Sequence, residues 1–254
     1  MPEGLEVELY RRAATALVGR RVAGVAVDGR VADGDVVDAL RGATFVAARR
    51  IGKLLLLDTD GPTVGVHFGM TGRIVVDGRA PIDGLVYGSA RDDPAWDRFT
   101  VDLTDGGCMR VNDPRRWAKI TLAPDVSALG PDLLAVTLDE LVSATRDRRA
   151  PVKAVLLDQR RIAGLGNLCV DEVLFDAGIE PGRPGGMLGA DDLCRLHHSL
   201  AALLPEMLTR GGSHRGVLTP AVRADLPPCP RDGAPLRRRV VAGRTTVTCP
   251  AHQH

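Results

Sequence analysis

The first residues able to do chemistry stand at the very start of the chain, Met1-Pro2-Glu3-Gly4. Proline is small enough for Met1 to be removed ahead of it, and removal frees a secondary amine at Pro2. An α-amino group has a pKa of about 7.7–8.0, so near neutral pH an appreciable fraction carries a lone pair, unlike an ordinary lysine. Such an amine attacks carbonyl-like carbons and forms a Schiff base, and Glu3 beside it can deliver a proton to a reacting oxygen. The same pair also suits a plain helix start, with proline at the first helical position and an acid in the first turn. A retained Met1 makes the Pro2 nitrogen an amide and abolishes the nucleophile.

Further along, Arg49-Arg50-Ile51-Gly52-Lys53 leads into an apolar run and puts Lys53 at a strand entrance, where a surface lysine is the ordinary expectation. His67-Phe68-Gly69-Met70-Thr71-Gly72 and Asn112-Asp113-Pro114-Arg115-Arg116-Trp117 offer two large apolar side chains in turns, Met70 and Trp117. Either they fill a core, or they act as wedges that replace a base drawn out of a duplex. The string 157–167, Leu-Asp-Gln-Arg-Arg-Ile-Ala-Gly-Leu-Gly-Asn, joins two helical stretches through a glycine-bearing double turn. Gly164 and Gly166 permit close backbone approach, and the amides of the next helix start, with Asn167, suit one phosphate. A simple helix cap and turn is the alternative.

From Cys229 to His254 five arginines (Arg231, Arg237, Arg238, Arg239, Arg244) face one acid, Asp232, a local charge of +4. That tail is either a phosphate contact or a solvated basic end.

The elements that must position these residues follow from periodicity. Leu5, Leu9, Ala13 and Leu17 recur at helical spacing before Gly19. Between residues 22 and 122 short β-type runs take over, at 22–27, 45–48, 54–57, 64–67, 74–76, 99–103 and 119–122, separated by Asp-Gly turns. They predict a β-sandwich. A Pro/Ser/Gly-containing linker at 123–131 precedes a helical half: a capping box at Thr137 and Glu140, a helix at 151–158, one capped by Asn167 that stops at Gly178, and one at 190–208 that Pro205 kinks or shortens. Two strand-like pieces around Ala242-Gly243 predict a closing hairpin. The fold class is α+β.

Composition bounds the rest. The 254 residues, 44% hydrophobic, suffice for one large domain or two modest ones. Five cysteines spread along the chain argue against a disulfide framework. No apolar run of about 18 residues and no signal-peptide pattern occur, so a cytoplasmic protein without membrane association is expected. A net charge of +1 neither favours nor excludes nucleic acid, since a basic face matters more than a basic total.

Taken together, the Pro-Glu-Gly start, the Gly-Lys strand entrance, the Asp-Pro-Arg-Arg-Trp loop and the string ending Gly-Leu-Gly-Asn resemble the formamidopyrimidine-DNA glycosylase and endonuclease VIII family. The resemblance implies three parts: a catalytic β-sandwich with an N-terminal helix at 1–123, a helix-two-turns-helix domain at 131–225, and a zinc-finger-like β-hairpin at 226–254. It implies a monomeric, nucleoid-associated DNA glycosylase and abasic-site lyase of base excision repair, acting on damaged double-stranded DNA through a Pro2 Schiff base and β,δ-elimination. Glu3 is then the general acid and Lys53 a catalytic phosphate-binding lysine. Met70, Arg115 and Trp117 fill the gap left by the flipped base, while Lys153, Gly166, Asn167 and Arg244 grip phosphates. The family's four-cysteine zinc finger has two Cys-x-x-Cys pairs sixteen residues apart; in their places stand Cys229-x-x-Asp232 and Cys249-x-x-His252. The resemblance implies that Cys229, Asp232, Cys249 and His252 hold a structural zinc ion, at a site altered by a carboxylate in place of a soft thiolate; a metal-free hairpin is the alternative.

The chain also departs from the family pattern. Gly4 resembles the endonuclease VIII branch, whereas Gly69-Met70-Thr71-Gly72 and the Arg-Arg-Trp loop resemble the formamidopyrimidine branch. Leu5 replaces the usual second proline and Trp117 the usual phenylalanine. The stretch from Ser213 to Cys229 is shorter than in members that clamp 8-oxoguanine with a mobile loop, which argues against strong 8-oxoguanine excision and leaves the preferred lesion open among 8-oxoguanine, ring-opened purines, hydantoins and oxidised pyrimidines. Two other readings stay open: a relative that binds abasic or distorted DNA with little catalysis, and a nucleic-acid binder outside repair.

Overall fold

The computed structural model describes residues 1–32, 35–82, 84–85, 88–89 and 91–254. Its contacts divide into two compact units, Met1–Ser127 and Ala128–His254. In the first, helix α1 (Gly4–Ala14) runs into a 3₁₀ turn at Thr15–Leu17, so the predicted helix changes pitch in its last turn. The strands are β1 (Val22–Val27), β2 (Phe45–Ile51), β3 (Leu54–Thr59), β4 (Val64–His67), β5 (Arg73–Val76), β6 (Asp97–Leu103), β7 (Cys108–Asn112) and β8 (Lys119–Leu122). They form two antiparallel four-stranded sheets, ordered β1-β6-β7-β5 and β2-β3-β4-β8.

The two sheets share one core. Phe45, Leu55, Leu57, Val64 and Val66 of one sheet meet Val22, Ile74, Phe99, Val101 and Val111 of the other, and Val7, Tyr10 and Ala14 of α1 join them. Successive side chains along a strand point to opposite faces, so each sheet turns one face inward, although β3 and β5 are buried along most of their length. Strand β7 is the one the sequence hides. Cys-Met-Arg-Val-Asn carries little β-branched character, yet β7 lies centrally, paired with both β6 and β5.

In the second unit the helices are α3 (Leu138–Thr145), α4 (Val152–Leu157), α5 (Asn167–Ala177), α6 (Ala190–Thr209) and α7 (Pro220–Asp225), α2 being the short Asp35–Leu40 helix of the first unit. Helices α2 and α7 have six residues each. The capping box at Thr137 and Glu140 is formed. Two expectations change. Gly166, not Asn167, is the N-cap of α5, which leaves the Asn167 side chain available elsewhere. Helix α6 also continues past Pro205 to Thr209. Pro205 and Ala201, whose carbonyl loses its usual donor, both lie on the exposed face, where water can serve that carbonyl.

The chain closes with a hairpin of β9 (Arg237–Val241) and β10 (Arg244–Thr248). Ala242 and Gly243 both have positive φ (50° and 72°), the requirement of the two-residue turn whose twist matches its strands. Phe175, Leu218, Leu236 and Val247 bury the hairpin base beside Cys229 and Cys249.

One carboxylate ties α1 to the β2–β3 hairpin. Burial by itself would raise the Glu8 carboxyl, but hydrogen bonds from Arg11, Arg12 and Arg50 override it and pull its pKa to about 2. A carboxyl depressed on folding stabilises fully above its unfolded pKa of about 4.3 and loses that contribution as pH falls through the folded value. Glu8→Gln is therefore expected to destabilise the protein by about 1–3 kcal/mol at neutral pH. In urea unfolding across a pH series the gap to wild type should close between about pH 4 and pH 2; a gap that stays constant would remove the ion-pair explanation.

Candidate functional site

Pro2, Glu3 and Glu6 are buried at the start of α1, with Glu3 3% and Glu6 1% exposed. Glu3 caps the helix with extended backbone, and its N–H donates to the Glu6 carboxylate at 2.7 Å. The terminal amine ahead of Pro2 is itself largely buried, and burial lowers its pKa below 8.0. Glu3 and Glu6 oppose that shift, while Lys53 and Arg115 add to it. Four charged side chains from α1, the β2–β3 turn and the 113–118 loop thus act on one amine. Glu6 is a member the sequence reading missed; its position three residues after the capping Glu3 was the available signal.

Lys53 is held through its neighbours. Arg50, salt-bridged to Glu8, donates to the Gly52 carbonyl at 2.9 Å and so fixes the turn before Lys53. His67 lies opposite Leu54 in the sheet, and burial, then the charges of Lys53 and Lys119, keeps its imidazole below its ordinary pKa.

Met70 and Trp117 lie on two loops that pack backbone to backbone. A Cβ on Gly69, whose φ is +59°, would lie 2.5 Å from the Trp117 carbonyl, so only glycine fits this approach. Asp113, fully buried, organises the second loop: its carboxylate accepts from the N–H groups of Arg115, Trp117 and Ala118 and from the Thr71 hydroxyl. Trp117 is left 51% exposed, with the Arg115 guanidinium 3.9 Å above its ring. That ring is not core. A half-exposed indole stiffened by a stacked cation can enter a base stack.

In the second unit, Gln159 staples the double turn by donating to the carbonyls of Leu157 and Leu165 and accepting from the Gly164 N–H. Asn167 donates to the Thr245 carbonyl at 3.0 Å, next to exposed Arg244 on the hairpin, and its Oδ1 is buried without a hydrogen-bond partner. Lys153, expected to help grip a phosphate, is 0% exposed, with Nζ 2.6 Å from Asp171, 2.7 Å from the Thr246 hydroxyl and 3.2 Å from the Thr245 carbonyl. A buried ammonium with three oxygens around it positions β10. Three tail arginines are likewise engaged internally: Arg231 with Asp176, Arg239 with Glu180, and Arg238 with the carbonyls of Arg223 and Ala224.

Cys229, Asp232, Cys249 and His252 converge, each offering one donor atom within 4.8 Å of the others. Asp232 lies 3.2 Å from the Cys249 sulfur and 2.9 Å from His252 Nδ1. His252 Nε2 meets the Phe175 carbonyl at 3.2 Å, which fixes the ring and turns Nδ1 toward the cluster. The donor set and its outer support fit a tetrahedral divalent metal ion. These four residues form a cluster able to hold a metal.

The candidate residues therefore assemble into four groups, two in each unit: the amine with Glu3 and Lys53, the Met70 and Trp117 loops with Arg115, the Asn167 and Arg244 edge with Gly166, and the metal-type cluster. Residues 1–120 match the family model of the formamidopyrimidine-DNA glycosylase N-terminal domain, and residues 128–218 that of the formamidopyrimidine-DNA glycosylase H2TH domain. Formamidopyrimidine-DNA glycosylases of Alkalilimnicola ehrlichii and Paracoccus denitrificans are each 35% identical over the full length of both chains. Among solved structures, MutM (Fpg) of Thermus thermophilus is similar at a TM-score of 0.81 and 28% identity, covering 99% of this chain and 98% of that one. Lactococcus lactis Fpg, in a complex with DNA containing an oxidised pyrimidine, is similar at 0.82 and 25% over both whole chains. By this identity along its whole length, the chain belongs to the formamidopyrimidine-DNA glycosylase family.

Proposed function

We propose that the protein is a DNA glycosylase and abasic-site lyase of base excision repair, removing oxidised or ring-opened bases from duplex DNA in the cytoplasm. The observation that carries this reading is the burial of the terminal amine among Glu3, Glu6, Lys53 and Arg115. Once Met1 is removed, the Pro2 nitrogen becomes the amine of that site. Residues 1–123 are the catalytic part, 131–225 and 226–254 the parts that hold DNA.

The chemistry follows from the residues. Glu3 protonates the deoxyribose ring oxygen, and the Pro2 lone pair attacks C1′ as the bond from C1′ to the damaged base breaks. Ring opening gives an iminium between Pro2 and C1′. Loss of a C2′ proton then expels the 3′-phosphate with the electron pair of its C–O bond, and loss of a C4′ proton expels the 5′-phosphate likewise. Hydrolysis of the iminium returns the amine. Lys53 and Arg115 favour the neutral amine and offer charge to the phosphates; Trp117 and Met70 occupy the vacated stack. Asn167 and Arg244 hold flanking phosphates with the amides after Gly166. Zinc on Cys229, Asp232, Cys249 and His252 is structural and supplies a cross-link at the hairpin base.

Borohydride added to the processed protein and abasic-site DNA is expected to trap a covalent adduct, absent when an extra N-terminal residue acylates Pro2. No adduct with the processed protein, despite tight binding, would leave a damage-binding protein in place of the enzyme. Lys53→Gln removes a positive charge that disfavours the protonated amine, so the amine pKa rises and the trapping profile must move to higher pH; a shift toward lower pH contradicts the assignment. Trp117→Ala is expected to slow base removal from duplex by about tenfold, roughly 1.4 kcal/mol, while sparing lyase action on a preformed abasic site. Equal losses in both reactions would rule out the wedge. For the hairpin, protein prepared without chelator should carry about one zinc per chain by elemental analysis, and His252→Ala should lose it; metal-free wild type with unchanged melting would refute a zinc site.

A further inference from the structure

By charge count the C-terminal tail is a candidate phosphate contact, yet much of its charge is spent inside the fold. A second basic segment lies elsewhere. Residues 146–149 read Arg-Asp-Arg-Arg and follow directly on α3; Arg146, Arg148 and Arg149 are exposed. Among the described residues their side chains have no acidic partner and no hydrogen bond. Arg160 and Arg161, in the first turn of the double turn, share the single carboxylate of Asp158 at 3.4 and 3.6 Å. Arg161 also donates to the Ala144 carbonyl at 3.1 Å, which brings that turn against the C-terminal end of α3 where Arg146 caps it.

The segment is held, not loose. Gly186 N–H donates to the Arg148 carbonyl and Gly185 N–H to the Ala150 carbonyl, each at 2.9 Å, and Pro151 bridges to Pro184. Asp147 takes a positive φ of 56°, a conformation that a non-glycine residue adopts only when its surroundings impose it. Five arginines with two intervening acids, Asp147 and Asp158, are thus fixed along one edge of the helix pair that carries Gly164 to Asn167. Nothing in the fold consumes the charge of three of them.

We infer that Arg146, Arg148 and Arg149, with Arg160 at their side, form a second phosphate-binding strip that extends the DNA footprint beyond the phosphates held by the Asn167 and Arg244 edge. The inference rests on the DNA-repair reading for the identity of the polyanion. Duplex DNA is the fitting partner because the strip adjoins the double turn and offers guanidinium groups without apolar interleaving. Such a surface reads backbone charge and no base sequence. An acidic protein segment is the competing occupant and is separated by the test.

The variant R146Q/R148Q/R149Q changes only exposed side chains outside the catalytic residues. Its affinity is compared with wild type over a range of salt, on a long abasic-site duplex, on the same duplex trimmed close to the lesion, and on long undamaged DNA. Each neutralised phosphate contributes about 0.9 to the slope of log affinity against log salt, so the slope on both long duplexes should become shallower by about 2–3. On the trimmed duplex the two proteins should coincide, and R146K/R148K/R149K should restore the wild-type slope. An unchanged slope on long DNA, with normal lesion binding, overturns the strip and points to an acidic protein segment or no partner. Failure of wild type to trap abasic-site DNA sinks the repair reading separately, since the slope on undamaged duplex still reports the strip.

Discussion

The Asp171 carboxylate lies wholly out of water, with Lys153 Nζ 2.6 Å from one oxygen and the Arg223 guanidinium 2.7 Å from the other. Removing this shared carboxylate takes the counter-charge from a fully buried ammonium, a loss of about 3–5 kcal/mol against a total domain stability of about 5–15 kcal/mol. The partners come from four elements. Lys153 belongs to α4, Asp171 to α5 and Arg223 to α7, and Lys153 also holds the Thr246 hydroxyl and Thr245 carbonyl of β10. The joint thus decides where the hairpin meets the double turn. Asn167 reaches the same Thr245 carbonyl, and Arg244 follows from the strand register. A lysine buried in this arrangement sets the place of the residues proposed to hold phosphates.

A comparable logic governs the first unit, with acids buried and cations displayed. Asp113 spends its carboxylate on backbone N–H groups of its own loop, and Glu8 spends its on Arg11, Arg12 and Arg50. What these acids fix are cationic or aromatic groups at the surface: Arg115 on Trp117, and the turn that presents Lys53. The terminal amine is the exception. It is buried beside two carboxylates and two cations, and burial outweighs the acids to leave it below its usual pKa. The attack proposed for Pro2 once Met1 is removed requires a neutral amine at this place.

Much of this was readable from residue types, and the reasons for the exceptions are physical. Strands with β-branched runs, such as β1 and β4, coincide with their predicted bounds because alternation and composition agree. Strand β7 escaped because its place between two strands, not its composition, makes it a strand. Helices α2 and α7 were not read, although α4, of the same six residues, was. The site strings announced their own turns, and the four metal-type donors were identified through the family's finger frame, since Asp232 and His252 stand where it has cysteines. Burial was not evident: nothing in Val152-Lys153-Ala154 says that the lysine faces Asp171, since a lysine is nearly always exposed unless paired. The spent arginines of the tail were hidden for the same reason. A charge count sees residues, and only tertiary contacts reveal which charges are already answered.

That distinction bears on the altered ligand set of the hairpin. The hairpin is tied at two ends by different chemistry. Toward the turn, Lys153 and the Asp171 contact with the Val247 N–H hold β10. Toward the chain end, the four-donor cluster is joined by Gln253, which accepts from the Cys249 N–H and donates to the Ile179 carbonyl. His252 adds an edge-on contact with Phe175 at 4.6 Å. Substituting Asp and His for thiolates lowers the affinity such a site can reach, but the strand that carries Arg244 does not hang on the metal alone. The ionic joint around Asp171 anchors it independently, so this chain can tolerate a weaker metal site without giving up the position of its hairpin arginine.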